Sequence, residues 1–157
     1  METFKKNYFL GFAILTICLS CSKTTNMNSE NIENKNERIE KLSPEIKVHS
    51  EILDAEFNLF NVNGFNNNFF TVPGSSSRDY KFVIKIKNAH IPLWTKDLEK
   101  VKGNLETEKW MKSLGETRQN NWKTISEPIF YKRKNEPNGT IIVFEKEGII
   151  YKHINQL

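Results

Sequence analysis

Apolar and polar residues alternate most regularly at Tyr80–Lys87. Tyr80, Phe82, Ile84 and Ile86 fall on one side, and Lys81, Lys85 and Lys87 on the other with Val83 among them. A period of two is that of a half-buried strand with a solvated lysine face. Ala55–Val62 reads as a second strand, whose apolar phase slips between Leu59 and Phe60. Such a slip implies a bulge or a strand covered on both faces. Asn63-Gly64 and Asn66–Asn68 are turn chemistry leading to a short return strand, Phe69–Val72, and Pro73-Gly74 with three serines makes a loop. Ile129–Lys132, Thr140–Glu145 and Ile149–Ile154 read as three more strands. Their connectors, Pro137–Gly139 and Lys146–Gly148, are short enough to require antiparallel neighbours.

Between these groups the spacing turns helical. Thr95 is a candidate N-cap for a helix over Lys96–Lys102, with Leu98 and Val101 inward and Gly103 as the stop. Asn104 or Thr107 can cap a second helix, with Glu106 and Glu108 early, Trp110, Met111 and Leu114 inward, and Gly115 at its end. Strands, helices, then strands make an α+β class. The expected form is a mostly antiparallel sheet of about five to six strands, with one or two short helices between the N- and C-terminal strand groups and one face buried.

The N-terminus follows another pattern. Lys5 and Lys6 precede a charge-free run, Tyr8–Leu19, after which Ser20-Cys21-Ser22-Lys23 turns polar. The run suits a secretory h-region of about 7–15 residues and is short of the roughly 20 a spanning helix needs. Basic residues, a short apolar run, then Leu19-Ser20-Cys21 resemble the leader of bacterial lipoproteins. The resemblance covers only about the first 22 residues. It implies cleavage between Ser20 and Cys21 and a diacylglycerol on Cys21, hence a membrane partner through the N-terminal lipid. Cys18 stands at the −3 position, where that class usually has Leu. Placing the lipid on Cys18 instead would put bulky Ile17 at the cleavage position. A plain secretory signal and a short uncleaved anchor are the other readings of the run.

Residues 22–43 are mostly Asn, Glu, Lys, Ser and Thr, with Met27, Ile32, Ile39 and Leu42 sparse among them. So few apolar residues suggest a flexible tether. The alternative is a helix, because Ile32, Ile39 and Leu42 fall near one helical face. Ser43-Pro44 is a plausible boundary. The organisation read from the sequence is thus a removed leader (1–20), a lipidated Cys21 with a polar tether (21–43), and one α+β domain (44–157).

Composition narrows the chemistry. The 157 residues are 38% hydrophobic and 27% charged, enough apolar material for one core. Two cysteines cannot build a disulfide scaffold, and on the lipoprotein reading one is discarded and one lipidated. The net charge of +4 falls to +3 once Lys5, Lys6 and Glu2 leave with the leader. Lys81/Lys85/Lys87, Lys96/Lys100/Lys102 and Lys132–Lys134 superficially resemble a nucleic-acid surface. Interleaved acids and an exported location argue for solvated faces, or contact with an anionic envelope surface.

His49, His90 and His153 lack metal-ligand spacing, and no metal or other cofactor is expected. Gly74–Asp79 is neither a nucleophile elbow nor a Walker loop. Asp54 and Glu56 share a strand face and read as exposed carboxylates. Trp94 and Trp110 read as packing residues. Trp122, after the polar Glu116–Asn121, is a candidate ligand or partner surface together with Arg78 and Asp79 at the base of the serine loop. The expected function is a lipid-anchored cell-envelope protein with a small, non-enzymatic binding domain. An immunity-type or inhibitor lipoprotein that blocks a toxin or hydrolase is the alternative. An envelope hydrolase would need a histidine and a serine gathered with Asp54 or Glu56.

Overall fold

The alternation at Tyr80–Lys87 is realised as the third strand of a seven-stranded antiparallel sheet. The structure is a computed structural model and describes residues 24–65, 77–105, 108–134 and 136–156. The elements in chain order are β1 (Asn26–Asn28), α1 (Lys35–Leu42), β2 (Ile52–Asn61), β3 (Arg78–Ile86), α2 (Ile91–Thr95), β4 (Leu98–Val101), α3 (Trp110–Leu114), β5 (Ile129–Arg133), β6 (Glu136–Phe144) and β7 (Ile149–Gln156). Spatial order is β1-β2-β3-β7-β6-β5-β4. The class is α+β as expected. β1 and β4, the two edge strands, raise the strand count above the expected one. The return strand expected at Phe69–Val72 lies outside the described residues. No helix among the described residues is long and apolar enough to cross a membrane.

The sheet is covered on both faces, not one. On the first face Phe57, Leu59, Phe82, Ile84, Val143 and Ile150 form the main core, under Leu42 of α1 and Ile91 of α2. On the second face Val83, Phe130, Ile142, Phe144, Ile149 and Tyr151 pack with Trp122, and Trp110, Met111 and Leu114 of α3 lie against them. The cause is visible in β6 and β7. Ile141 to Phe144 and Ile149 to Tyr151 are unbroken apolar runs, which leave neither face suited to water.

Three sequence expectations are corrected. Leu98–Val101 is a strand paired with β5, not a helix. Pro92 already sits in the first turn of α2, where its missing N–H costs nothing. Asp97 then takes a left-handed conformation (φ 66°) that reverses the chain into β4. The irregularity of β2 falls between Ile52 and Asp54, whereas Leu59 and Phe60 pair regularly with Tyr80 and Asp79. The polar stretch before Ser43 is part of the domain. Met27 pairs with Leu59, and α1 packs on the sheet with Arg38 and Leu42 buried. Asn34 caps α1 by accepting a hydrogen bond from the Asn36 backbone at 2.9 Å.

Arg38 explains why so polar a stretch orders. β1 ends at Asn28, so the outer edge of β2 loses its strand partner before Phe57. Ser29 takes over: its N–H donates to Phe57 O at 3.0 Å, and its hydroxyl accepts from Phe57 N at 2.9 Å. One step further, Arg38 Nε donates to Ala55 O at 2.7 Å, and Ala55 N donates to the Asp54 carboxylate at 2.8 Å. Three side chains, those of Ser29, Arg38 and Asp54, together with the Ser29 N–H thereby satisfy an edge that would otherwise invite pairing with another chain.

Candidate functional site

Polar chemistry gathers in two places. The first is the margin of the second face, beside the β2 edge. Asp54 and Glu56 do share a face, as their spacing requires, but they are 9% and 2% exposed and are not the exposed carboxylates expected. Arg38 Nη2 meets Asp54 at 2.5 Å. Arg118, from the loop after α3, grips Glu56 through Nε at 2.5 Å and Nη2 at 2.9 Å. The Arg118 guanidinium is held charged above its ordinary range by hydrogen bonding to Glu56, although burial opposes this. Ser29 Oγ donates to the same carboxylate at 2.6 Å, and Asn121 Nδ2 donates to Asp54 at 3.2 Å. The cluster ties α1 and the loop containing Arg118 to β2. Its carboxylates are engaged by fixed donors, which suits a brace better than proton transfer. Among the described residues no histidine joins Ser29 and Glu56, the arrangement a hydrolase would need.

The second place is a cavity of about 380 Å³ on the first face. Its floor is the sheet itself: Phe82 of β3, Ile150 and Ile154 of β7, and Ile141 of β6. Trp94 of α2 forms a wall, with its indole N–H donating to Ser50 Oγ at 2.8 Å and its ring edge-on to His49 at 5.2 Å. Around this apolar floor stand Lys47, Arg78, Lys96, Arg133 and Lys152, five cations from five different segments. Two carboxylates share the lining, Glu45 and Asp97, and Glu45 accepts a hydrogen bond from the Tyr80 hydroxyl at 2.9 Å. That bond and burial push Tyr80 up to about 12, burial being the larger cause.

The rim is felt electrostatically. His49 is held below its ordinary value, first by burial and then by Lys47, Lys152 and Arg133. A cavity of this size, in which an apolar floor and converging charges hold about equal shares of the lining, falls in the range that small-molecule sites occupy. Its lining carries five cations against two carboxylates.

The candidates read from the sequence separate here. Arg78 lines the cavity, where its Nε donates to Gln156 at 2.6 Å. Asp79 is the next residue on β3 and so faces the other way. There it pairs with Lys81 at 2.5 Å and with His153 at 2.7 Å. Burial would raise the Asp79 carboxyl, but the hydrogen bonds from Lys81 and His153 together hold it below the usual carboxylate range. Trp122 is not a surface: it is 5% exposed in the second core, with Gly115 close against its ring. Ser20 and Cys21 lie outside the described residues. His49, Lys47, Lys96, Lys152 and Arg133 were missed as site residues, because their convergence depends on a topology that no local pattern announces. No group of His, Cys, Asp and Glu side chains among the described residues could hold a metal ion. No protein-family model matches the chain, and comparison with curated proteins and with solved structures returned no significant similarity.

Proposed function

We propose that this protein is a lipid-anchored component of a bacterial cell envelope, whose domain binds a ligand without transforming it. The observation that carries the binding reading is the cavity on the first face, where five cations surround an apolar floor. Its anchor rests on the basic, apolar and small-residue order that ends at Cys21. Anchored so, the protein needs stable attachment and not a spanning helix. Each buried acyl CH₂ contributes about 0.8 kcal/mol, so two or three chains hold where one would not.

The early start of the fold adds a constraint to this reading. Only Ser22–Thr25 separate Cys21 from β1, and a fully extended chain spans at most about 3.3–3.6 Å per residue. Thr25 O accepts from Asn61 N, and Thr24 O from Phe65 N, so the chain enters at the end of the sheet where β2 finishes and β3 begins. That end, which carries Arg78, is then held within about 20 Å of the bilayer.

The anchor is tested by Cys21→Ala. Detergent-phase partitioning and mass measurement should show an unlipidated chain, either unprocessed or in the aqueous phase. Partitioning identical to the unaltered protein would remove the anchor from the proposal.

A further inference from the structure

We infer that the first-face cavity is a site for an amphiphilic anion, a molecule with an apolar body and one carboxylate, sulfate or phosphate head. The inference deepens the binding reading above and does not depend on a lipid at Cys21. Phe82, Ile141 and Ile150 present side chains from three adjacent strands, so the floor is broad and fixed by the sheet. Lys152, between Ile150 and Ile154 on the same strand face and opposite Phe82 and Ile141, places one ammonium in this otherwise apolar floor. That favours an alkyl or aryl body with a single anionic head over a sugar or a nucleoside.

Lys152 rises from the floor, and the other cations stand around it. Lys47 and Lys96 are exposed, and Arg78 and Lys152 are half-buried, so a head group meets charge while still partly hydrated. An acidic protein segment would need charges spread over an open face. Here they ring a concavity instead, which favours the small amphiphile. Glu45 does not oppose the charge freely, since it is engaged by Tyr80. Free amphiphiles and membrane lipids share this chemistry, and Arg78 lies at the sheet end where the chain enters.

Trp94 is a built-in reporter, and Trp122, on the opposite face, is its control. Residues 24–156 supply every strand described and both cores, so a chain of residues 22–157 holds them all. In that chain, labelled with ¹⁵N, decanoate should shift the Trp94 indole signal saturably and leave Trp122 in place. Decylammonium at equal concentration should shift neither. Lys47→Glu with Lys96→Glu, both at exposed positions, should weaken decanoate by about tenfold or more while leaving the melting curve unchanged.

Vesicles of phosphatidylglycerol give the second arm. A Trp94 shift with vesicles but not with decanoate identifies a lipid source, and the reverse identifies a free amphiphile. Equal response to decanoate and decylammonium, equal shifts at Trp94 and Trp122, or no response to either decanoate or vesicles would overturn the inference. None of these outcomes bears on the anchor, which the Cys21→Ala partitioning decides separately.

Discussion

Arg38→Ala tests whether the N-terminal segment is held by charge or merely rests on the sheet. Arg38 is 1% exposed and sits among five partners. Its Nε reaches Ala55 O at 2.7 Å and Glu56 at 3.5 Å, Nη1 reaches Ile32 O at 2.9 Å and Glu33 O at 2.8 Å, and Nη2 reaches Asp54 at 2.5 Å. Removing one member of a buried pair costs about 3–5 kcal/mol, because the partner stays buried without its counter-charge. Two features place this case at the lower end. Arg118 still neutralises Glu56, and Asn121 still donates to Asp54. The expected loss is therefore about 3 kcal/mol, a large share of the roughly 5–15 kcal/mol that holds a domain of this size.

With a urea slope of about 2 kcal/mol per molar, that loss lowers the unfolding midpoint by about 1.5 M. Arg38→Lys should fall between, since it keeps the charge but cannot span Ala55 O and Asp54 together. A double-mutant cycle with Asp54→Asn should show clear coupling. A midpoint shift below about 0.5 M for Arg38→Ala would place the residue with exposed ion pairs, and the account of the β2 edge would then be wrong.

Other predictions concern the hairpin, the loop beside it and the cavity wall. Gly148 has φ +65°, and a Cβ there would come within 2.2 Å of Ile86 O. Gly148→Ala should therefore cost about 2 kcal/mol or more, read as a lower melting temperature. Glu147 accepts hydrogen bonds from Ile125 N at 2.9 Å, from Ser126 N at 3.0 Å and from the Ser126 hydroxyl. Those bonds, the Ser126 hydroxyl foremost, hold its carboxyl at about 2 against an ordinary 4.5. Because the folded value is the lower one, the stabilisation is complete above about pH 4.5 and is lost as pH falls towards 2. The protection factors of the Ile125 and Ser126 amides, which correct for the intrinsic pH dependence of exchange, should fall in that window, and Glu147→Gln should abolish that fall. His49 should titrate below 6.5 by NMR, and Lys152→Ala should move it upward. An unchanged His49 would show that the rim exerts no field on the cavity.

What could be read in advance follows from how local each signal was. β3 is legible because its alternation needs only its own residues, and the β6–β7 hairpin because a short turn divides two apolar runs. α3 is legible from Trp110, Met111, Leu114 and Gly115, which meet the sheet and the helix end as expected. α1 was read only as the alternative to a tether, because its main attachment is a guanidinium, which composition counts as solvated. The spacing of Ile32, Ile39 and Leu42 was the available signal, and all three reach the main core. β4 was mistaken for a helix because Leu98 and Val101 satisfy a three-residue spacing. As an edge strand it is exposed at every position but Leu98 and lacks a clean alternation. The cavity was beyond sequence reading, since its cations stand between positions 47 and 152 and only the sheet order brings them together. Arg78 was found, but the pleat sends its neighbour Asp79 to the other face.

The place of β7 has a consequence for how the domain comes into being. β7 is synthesised after the other six strands, yet it lies between β3 and β6 and pairs with both. Until it emerges, β1-β2-β3 and β4-β5-β6 are two ribbons with no pairing between them, and the floor of the cavity is missing Ile150 and Ile154. A nascent chain halted before Ile149 is therefore two adhesive fragments, each with an open edge, and not a smaller version of the fold. The final strand closes sheet, cores and cavity in one step.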